Sequence, residues 1–209
     1  MIPNGINTGR FEAVHLANRR TKMFNIGCSI NFSIIGVHET RKGHSVLLKA
    51  LKDITSRSPD LYDRIKVSIE RYGDLTKGLV AFVDENNLSA LVVFQNHVEN
   101  ISTFYMDTDV LIHPSLFSED LPNVISEAMA FGIPTLGSKI AGIPSQISDG
   151  VNGFLIKPGD HMALSQRMET LIDNSEKLNS MSKECVAKFD MEFSSDVAVG
   201  RYTDLIAGK

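Results

Sequence analysis

The chain predicts an α/β fold, a single doubly wound parallel sheet followed by a helical tail. Short apolar-rich runs of strand length recur at residues 32–36, 65–69, 91–94, 110–112 and 133–137, continuously apolar at 91–94 and 110–112. Between them lie longer stretches whose apolar residues repeat at helical spacing, and Gly, Pro, Asn and Asp punctuate the joins. Strands alternating with helices argue for parallel pairing with right-handed crossovers. The 209 residues suffice for one domain with a full core, or for one and a half small ones.

Composition excludes several classes of function. A net charge of −4 supplies no basic field for nucleic acid or an acidic membrane. No run of about eighteen apolar residues is present, so no membrane span is expected. The start lacks a basic stretch followed by an apolar one, so no signal peptide is expected. Cys28 and Cys185 stand far apart without metal-ligand spacing. They point to a reduced, cytoplasmic setting, and each reads as a small core residue.

In chain order, residues 1–7 hold a Pro and an Asn-Gly pair and read as a turn, with a short helix over 12–19. The strand at 32–36 ends on Gly36, where a loop can turn closely. Residues 37–43 carry Lys42 into a helix over 43–56, whose Val46, Leu47, Ala50, Leu51 and Ile54 share one face. Strand, polar loop with a lysine, then helix suits a phosphate, although such loops commonly hold a lysine with no ligand. His38 reads as an ordinary loop residue. The strand at 65–69 leads to a helix over 75–86, and the strand at 91–94 to a helix over 99–106. His113 closes the strand at 110–112 and reads as a backbone-satisfied histidine outside any site.

Residues 118–137 are the most informative stretch. Pro122 suits the first position of a helix and Gly132 followed by Pro134 suits the end of one, giving a helix over 122–131. Val124, Ile125, Ala128 and Met129 form its apolar stripe, while Asn123 and Glu127 share the polar side. Glu119 stands just ahead, seven residues separating it from Glu127. Free amides at a helix start favour an anion, so two carboxylates there suggest a ligand with both phosphate and hydroxyl groups. A nucleotide sugar has both. The plainer alternative makes Glu119 a partner of the helix dipole and Glu127 a solvated surface residue. A strand at 153–156 and helices at 160–173, 175–189 and 194–206 complete the chain.

This stretch resembles the family 4 (group 1) retaining glycosyltransferases of the two-Rossmann-domain (GT-B) type, through Ser118-Glu119-Asp120-Leu121-Pro122-Asn123, Glu127-Ala128-Met129-Ala130, Gly132 and Pro134. Asp120 takes the place of a family glycine. The likeness continues through Ala141-Gly142-Ile143-Pro144 and residues 149–160, and the opening Ile2-Pro3-Asn4-Gly5-Ile6-Asn7 is similar to the phrase that begins the family's C-terminal domain. The resemblance implies that residues 1–209 are a Rossmann-like donor-binding domain and that the N-terminal acceptor domain is absent. It implies transfer of a glycosyl group from a nucleotide sugar with retention and without a metal or other cofactor. Glu119 is then the catalytic contact to the sugar, and Gly36, Lys42, Leu121, Pro122, Asn123, Val124, Glu127 and Gly142 bind the donor.

Several positions depart from the family pattern. Val37 stands where a donor-binding arginine is expected, with Arg41 as a nearby substitute. Residues 70–74 keep one glycine of a Gly-x-Gly-Pro turn, and 95–98 replace the segment that touches the nucleobase. Partners implied are a nucleotide sugar, an acceptor glycan or lipid-linked sugar, and an N-terminal domain or separate subunit, with peripheral membrane attachment through such a partner. Two other classes stay open: a non-enzymatic nucleotide-sugar-binding module, and an interaction domain that keeps the fold without the ligand.

Overall fold

The computed structural model describes residues 4–70, 72–95 and 100–207. Within them the elements run α1 (Ala13–Arg20), β1 (Ile30–Ile35), α2 (His44–Arg57), β2 (Ile65–Glu70), α3 (Thr76–Glu85), β3 (Val92–Gln95), α4 (Ile101–Asp107), β4 (Val110–His113), α5 (Asn123–Ala130), β5 (Thr135–Ser138), α6 (Ile143–Gln146), β6 (Gly153–Ile156), α7 (His161–Asp173), α8 (Ser175–Glu192) and α9 (Ser195–Ile206). Short 3₁₀ turns at Thr8–Arg10, Thr40–Lys42 and Pro59–Arg64 were not expected from the sequence, nor was α6. Residues 96–99, which take in the expected nucleobase segment apart from Gln95, lie outside the described residues, as do Ile2, Pro3 and Arg71.

The six described strands form one sheet in the order β3-β2-β1-β4-β5-β6, and every pairing is parallel. Alternate residues of the central strands serve two cores. Ile30, Phe32 and Ile34 of β1 and Val110 and Ile112 of β4 join the core built with α2 and α7. Ile35 and Leu111 face the other, with Phe104, Tyr105, Ile125 and Met129. A strand buried on both faces favours apolar residues at both parities, which is why Val110-Leu111-Ile112 of β4 is continuous rather than alternating, while β1 buries Ser33 on its second face. The doubly wound Rossmann-like arrangement expected from the sequence is the one found.

The predicted face of α2 is buried, and Leu48 beyond it is buried too because α7 packs beside α2. α8 runs three residues past its expected end, to Glu192, and delivers Phe193 to the second core. The opening segment closes back onto it. Ile6 N–H donates to the Phe193 carbonyl (2.8 Å) and Ser195 N–H donates to the Ile6 carbonyl (3.1 Å). α7 and α8 of the tail pack on their own domain through Leu164, Met168, Met181 and Phe189, whereas α9 buries only Ala198 and leaves Val199, Leu205 and Ile206 exposed.

α5 is shorter than its sequence limits. Pro122 is its N-cap, with extended backbone, rather than its first helical residue. At the other end Gly132 takes φ +68°. Its N–H donates to Met129 (2.9 Å) and that of Ile133 to Ala128 (2.9 Å), a Schellman ending. Those bonds hold Ile133, and Pro134 has no N–H, so β5 starts at Thr135 instead of residue 133. Both cysteines are free, Cys185 buried and Cys28 half-buried. Among the described residues no helix is long and apolar enough to cross a membrane.

Candidate functional site

β1 and β4 lie side by side, but the chain leaves β1 toward β2 and leaves β4 toward β5, on opposite sides. A parallel sheet opens a crevice beyond the C-terminal ends of its strands at such a switch point. Here it is a cleft of about 260 Å³, lined by Ile35, Gly36 and Val37 after β1, Lys42 from the following turn, His113 at the end of β4, and Glu119, Pro122, Asn123 and Val124. The volume falls short of the roughly 300–1,000 Å³ of an enclosed small-molecule site.

Glu119 is the electrostatic centre. It is 7% exposed, and its Oε1 accepts from Lys42 Nζ (2.7 Å), Ser115 Oγ (2.8 Å) and Arg41 Nη1 (3.1 Å). Burial presses its carboxyl upward, and hydrogen bonds from His113, Lys42 and Ser115 outweigh burial and bring it down to about 2. His113 Nε2 is 3.5 Å from that oxygen and 3.3 Å from Ser115 Oγ. At that distance its contact is weak, and Lys42 and Ser115 do most of the holding. Burial keeps His113 itself below its ordinary value, against the pull of Glu119. Neutral, with its proton on Nε2, it can donate to Ser115 while Ser115 donates to Glu119.

The backbone places this cluster. Gly43 takes φ +72°, and a Cβ there would stand 2.1 Å from the Pro114 carbonyl oxygen, so only glycine lets the Lys42 turn close against the end of β4. Ser118 holds φ +54°, left-handed backbone that costs a non-glycine residue about 1 kcal/mol or more. Arg41 Nη1 donates to the Ser118 carbonyl at 3.0 Å and steadies it there. Gly73, the glycine kept after β2, brings its backbone against His38, where a Cβ would lie 2.5 Å from the carbonyl oxygen.

The start of α5 has no capping side chain, and its first two residues, Asn123 and Val124, line the cleft. One turn on, Glu127 is 6% exposed. Its Oε2 accepts from the Tyr105 hydroxyl at 2.7 Å, and Oε1 pairs with the Arg10 guanidinium.

Six of the residues singled out from the sequence line the one cleft: Gly36, Lys42, Glu119, Pro122, Asn123 and Val124. The other three stand around it. Leu121 turns to a small crevice shared with Asn4, Ser126 and Gln146. Gly142 caps α6 and packs on the motif loop, where a Cβ would stand 2.2 Å from the Asp120 carbonyl oxygen. Glu127 faces Arg10 and Tyr105 and is buried under them, which removes the plainer alternative of a solvated surface residue there, while Asn123 on the same side stays exposed. Two further readings change. His113, left outside the site, lines the cleft, because β4 runs one residue further than expected. His38 is the loop residue expected, but a fully buried one, with its Nδ1 2.8 Å from Thr76 Oγ1 and its ring 4.6 Å from that of His44. Arg41, the nearby substitute for the arginine missing at Val37, reaches the Lys42–Glu119 cluster. No side chain spacing in the sequence announces that contact. Among the described residues no group of three or more His, Cys, Asp or Glu could hold a metal ion.

Residues 30–185 match the family described as glycosyl transferases group 1. The chain is 24% identical over 196 residues to the capsular polysaccharide biosynthesis glycosyltransferase CapM of Staphylococcus aureus, covering 93% of this chain and 50% of that protein. It is 31% identical over 150 residues to spore coat protein SA of Bacillus subtilis (strain 168), covering 68% and 39%. The chain thus spans about half the length of the curated relatives it matches. Among solved structures, Anabaena HepE in complex with UDP superimposes with a TM-score of 0.83 at 20% identity, over 100% of this chain and 57% of that one. The C-terminal domain of the group 1 family protein LpcC from Francisella tularensis gives 0.75 at 18% identity, over 91% of this chain and 100% of that one. At these identities the structures speak for the fold, while the sequence match extends through the cleft-forming segments from β1 to α8, and on that match the chain belongs to the group 1 glycosyl transferase family.

Proposed function

We propose that this chain binds a nucleoside diphosphate sugar and supplies the donor-binding, C-terminal half of a transferase that retains the anomeric configuration. The observation that carries this is the cleft at the switch point, where a lysine, a buried carboxylate and the open start of a helix meet. A diphosphate entering it meets Lys42 and the amides of Asn123 and Val124. Its charge draws Lys42 and Arg41 off Glu119. The freed carboxylate then accepts from sugar hydroxyls and faces the positive charge that builds at the anomeric carbon as the bond breaks. Glu127, one turn along α5, receives the ribose diol. In this reading protein cations and amides neutralise the leaving diphosphate, and no metal or cofactor takes part.

The acceptor, a glycan or a lipid-linked sugar, is brought by an N-terminal domain or a separate subunit. The half-length match to the relatives supports that division, and so does the open cleft. A cytoplasmic setting belongs to the same reading, with any membrane attachment made by the acceptor-binding part. A second reading, a binding module without transfer, draws on Val37, which lines the cleft where a second cation would aid a leaving diphosphate.

Calorimetric titration with uridine, guanosine and adenosine diphosphate sugars tests the proposal, starting with UDP-glucose because HepE was solved with UDP and with UDP-glucose. Absence of heat with all three rejects donor binding. Transfer regained on adding an N-terminal half rejects the module reading, and the anomeric configuration of that product, read by NMR, decides retention.

A further inference from the structure

Glu127 is a buried acid with two donors and room for two more. A carboxylate offers about four lone-pair sites. Tyr105 takes one on Oε2 and Arg10 one on Oε1, and no other donor reaches the group among the described residues. One site on each oxygen stays open, the pattern a vicinal diol needs when it presents two O–H groups side by side. Glu127 also follows Asn123 by four residues, so both lie on one side of α5, and Asn123 lines the cleft.

Both donors are held by packing rather than by chance. The Tyr105 ring is fully buried, stacked on Phe131 (centroids 5.0 Å apart, planes at 29°) with the edge of Phe11 at 6.2 Å. The held ring keeps its hydroxyl on Glu127 Oε2. Arg10 ends a 3₁₀ turn capped by Asn7, whose Oδ1 accepts from Gly9 N–H at 2.8 Å. Phe11 follows it at once and wedges into the same aromatic cluster, 5.0 Å from Phe131. Upstream, Ile6 is bonded to Phe193 and Ser195. The Arg10 side chain, half exposed, thus extends over α5 from a segment fixed on both sides.

We infer that Arg10 and Tyr105 are positioning residues that aim the Glu127 carboxylate at the donor's ribose, so that the opening segment of the chain sets selectivity for the 2′,3′-diol. The inference rests on the ribose role proposed for Glu127 and adds what orients it. A carboxylate buried with one cation removed would turn toward solvent or a new donor, and its two open sites would no longer face one diol.

The test is calorimetric, with uridine, adenosine and guanosine diphosphates each compared with its 2′,3′-dideoxy analogue on the full chain. The wild type should favour the ribose form of the base it binds by about tenfold or more, the size of a charge-assisted hydrogen bond. Arg10→Ala and Tyr105→Phe should bring that ratio toward one with the dideoxy affinity unchanged, and Arg10→Lys should restore part of it. Tyr105→Phe keeps the ring and its packing, so it decides the matter if Arg10→Ala fails to fold. A wild type without preference would reject the ribose role of Glu127 itself. A wild type with preference whose variants keep it would overturn the positioning role. Equal loss of both affinities in the variants would overturn it as well, since that marks a general structural defect.

Discussion

Glu70 should make this protein more stable in mild acid than in mild base. It ends β2 opposite Ile35, is 1% exposed, and its Oε2 has no hydrogen-bond partner among the described residues. Burial alone raises its carboxyl from 4.5 to about 7. In the open chain the group ionises above about 4.5, whereas the fold resists ionisation until about 7. Its contribution is therefore complete below the lower value and is lost as pH rises through the upper one. Linkage puts the lost stability at about 1 kcal/mol near pH 5 and about 3 kcal/mol near pH 8.

Three buried histidines complicate the raw profile. His44 lies at about 3, lowered by burial and then by the charges of His38, Lys42 and His113, and its contribution is lost as pH falls from 6.5 toward 3. His38 and His113 are lowered in the same direction, again chiefly by burial. The diagnostic quantity is thus the difference between Glu70→Gln and wild type, measured by urea unfolding with matched slopes at both pH values. Glutamine keeps the shape and cannot ionise, so the variant should gain roughly 2–3 kcal/mol on the wild type between about pH 5 and about pH 8. A difference that stays constant across that range would refute the reasoning, because it would mean that Glu70 is charged and compensated in the fold.

Other outcomes follow from the cleft. Lys42→Ala should weaken nucleoside diphosphate binding about tenfold to a hundredfold by calorimetry, the loss of one charged hydrogen bond, and should also destabilise the chain by leaving Glu119 with one cation fewer. Gly43→Ala combines a left-handed backbone with a Cβ 2.1 Å from Pro114 O. It should cost about 2–4 kcal/mol in urea unfolding and disturb Lys42. Glu119→Gln should abolish transfer in the reassembled enzyme while leaving a measurable nucleotide affinity. It should also remove a loss of stability that the wild type shows as pH falls from about 4.5 to about 2, since a carboxyl lowered by its partners is stabilising only while ionised.

The linear sequence determined the fold to a large extent, because the requirement behind each element is local. A strand buried on both faces must be apolar at every position, and residues 32–35 and 110–112 are nearly so. A helix closed by Gly132 and Pro134 must stop there whatever packs on it. The motif between Glu119 and Glu127 was readable for the same reason, since its spacing fixes both acids relative to one helix start. What only the tertiary structure decided are the meetings between distant segments. Arg41 and Lys42 reach Glu119 across 78 and 77 positions, His113 enters the cleft, and Arg10 from the opening turn covers Glu127 on α5. No local propensity encodes such contacts. They arise because parallel strand order places β1 beside β4 and because Phe11 and Ile6 anchor the start of the chain on the second core. Burial then turned Glu127 from an apparent surface acid into a held one, a change of environment that periodicity along one helix cannot register.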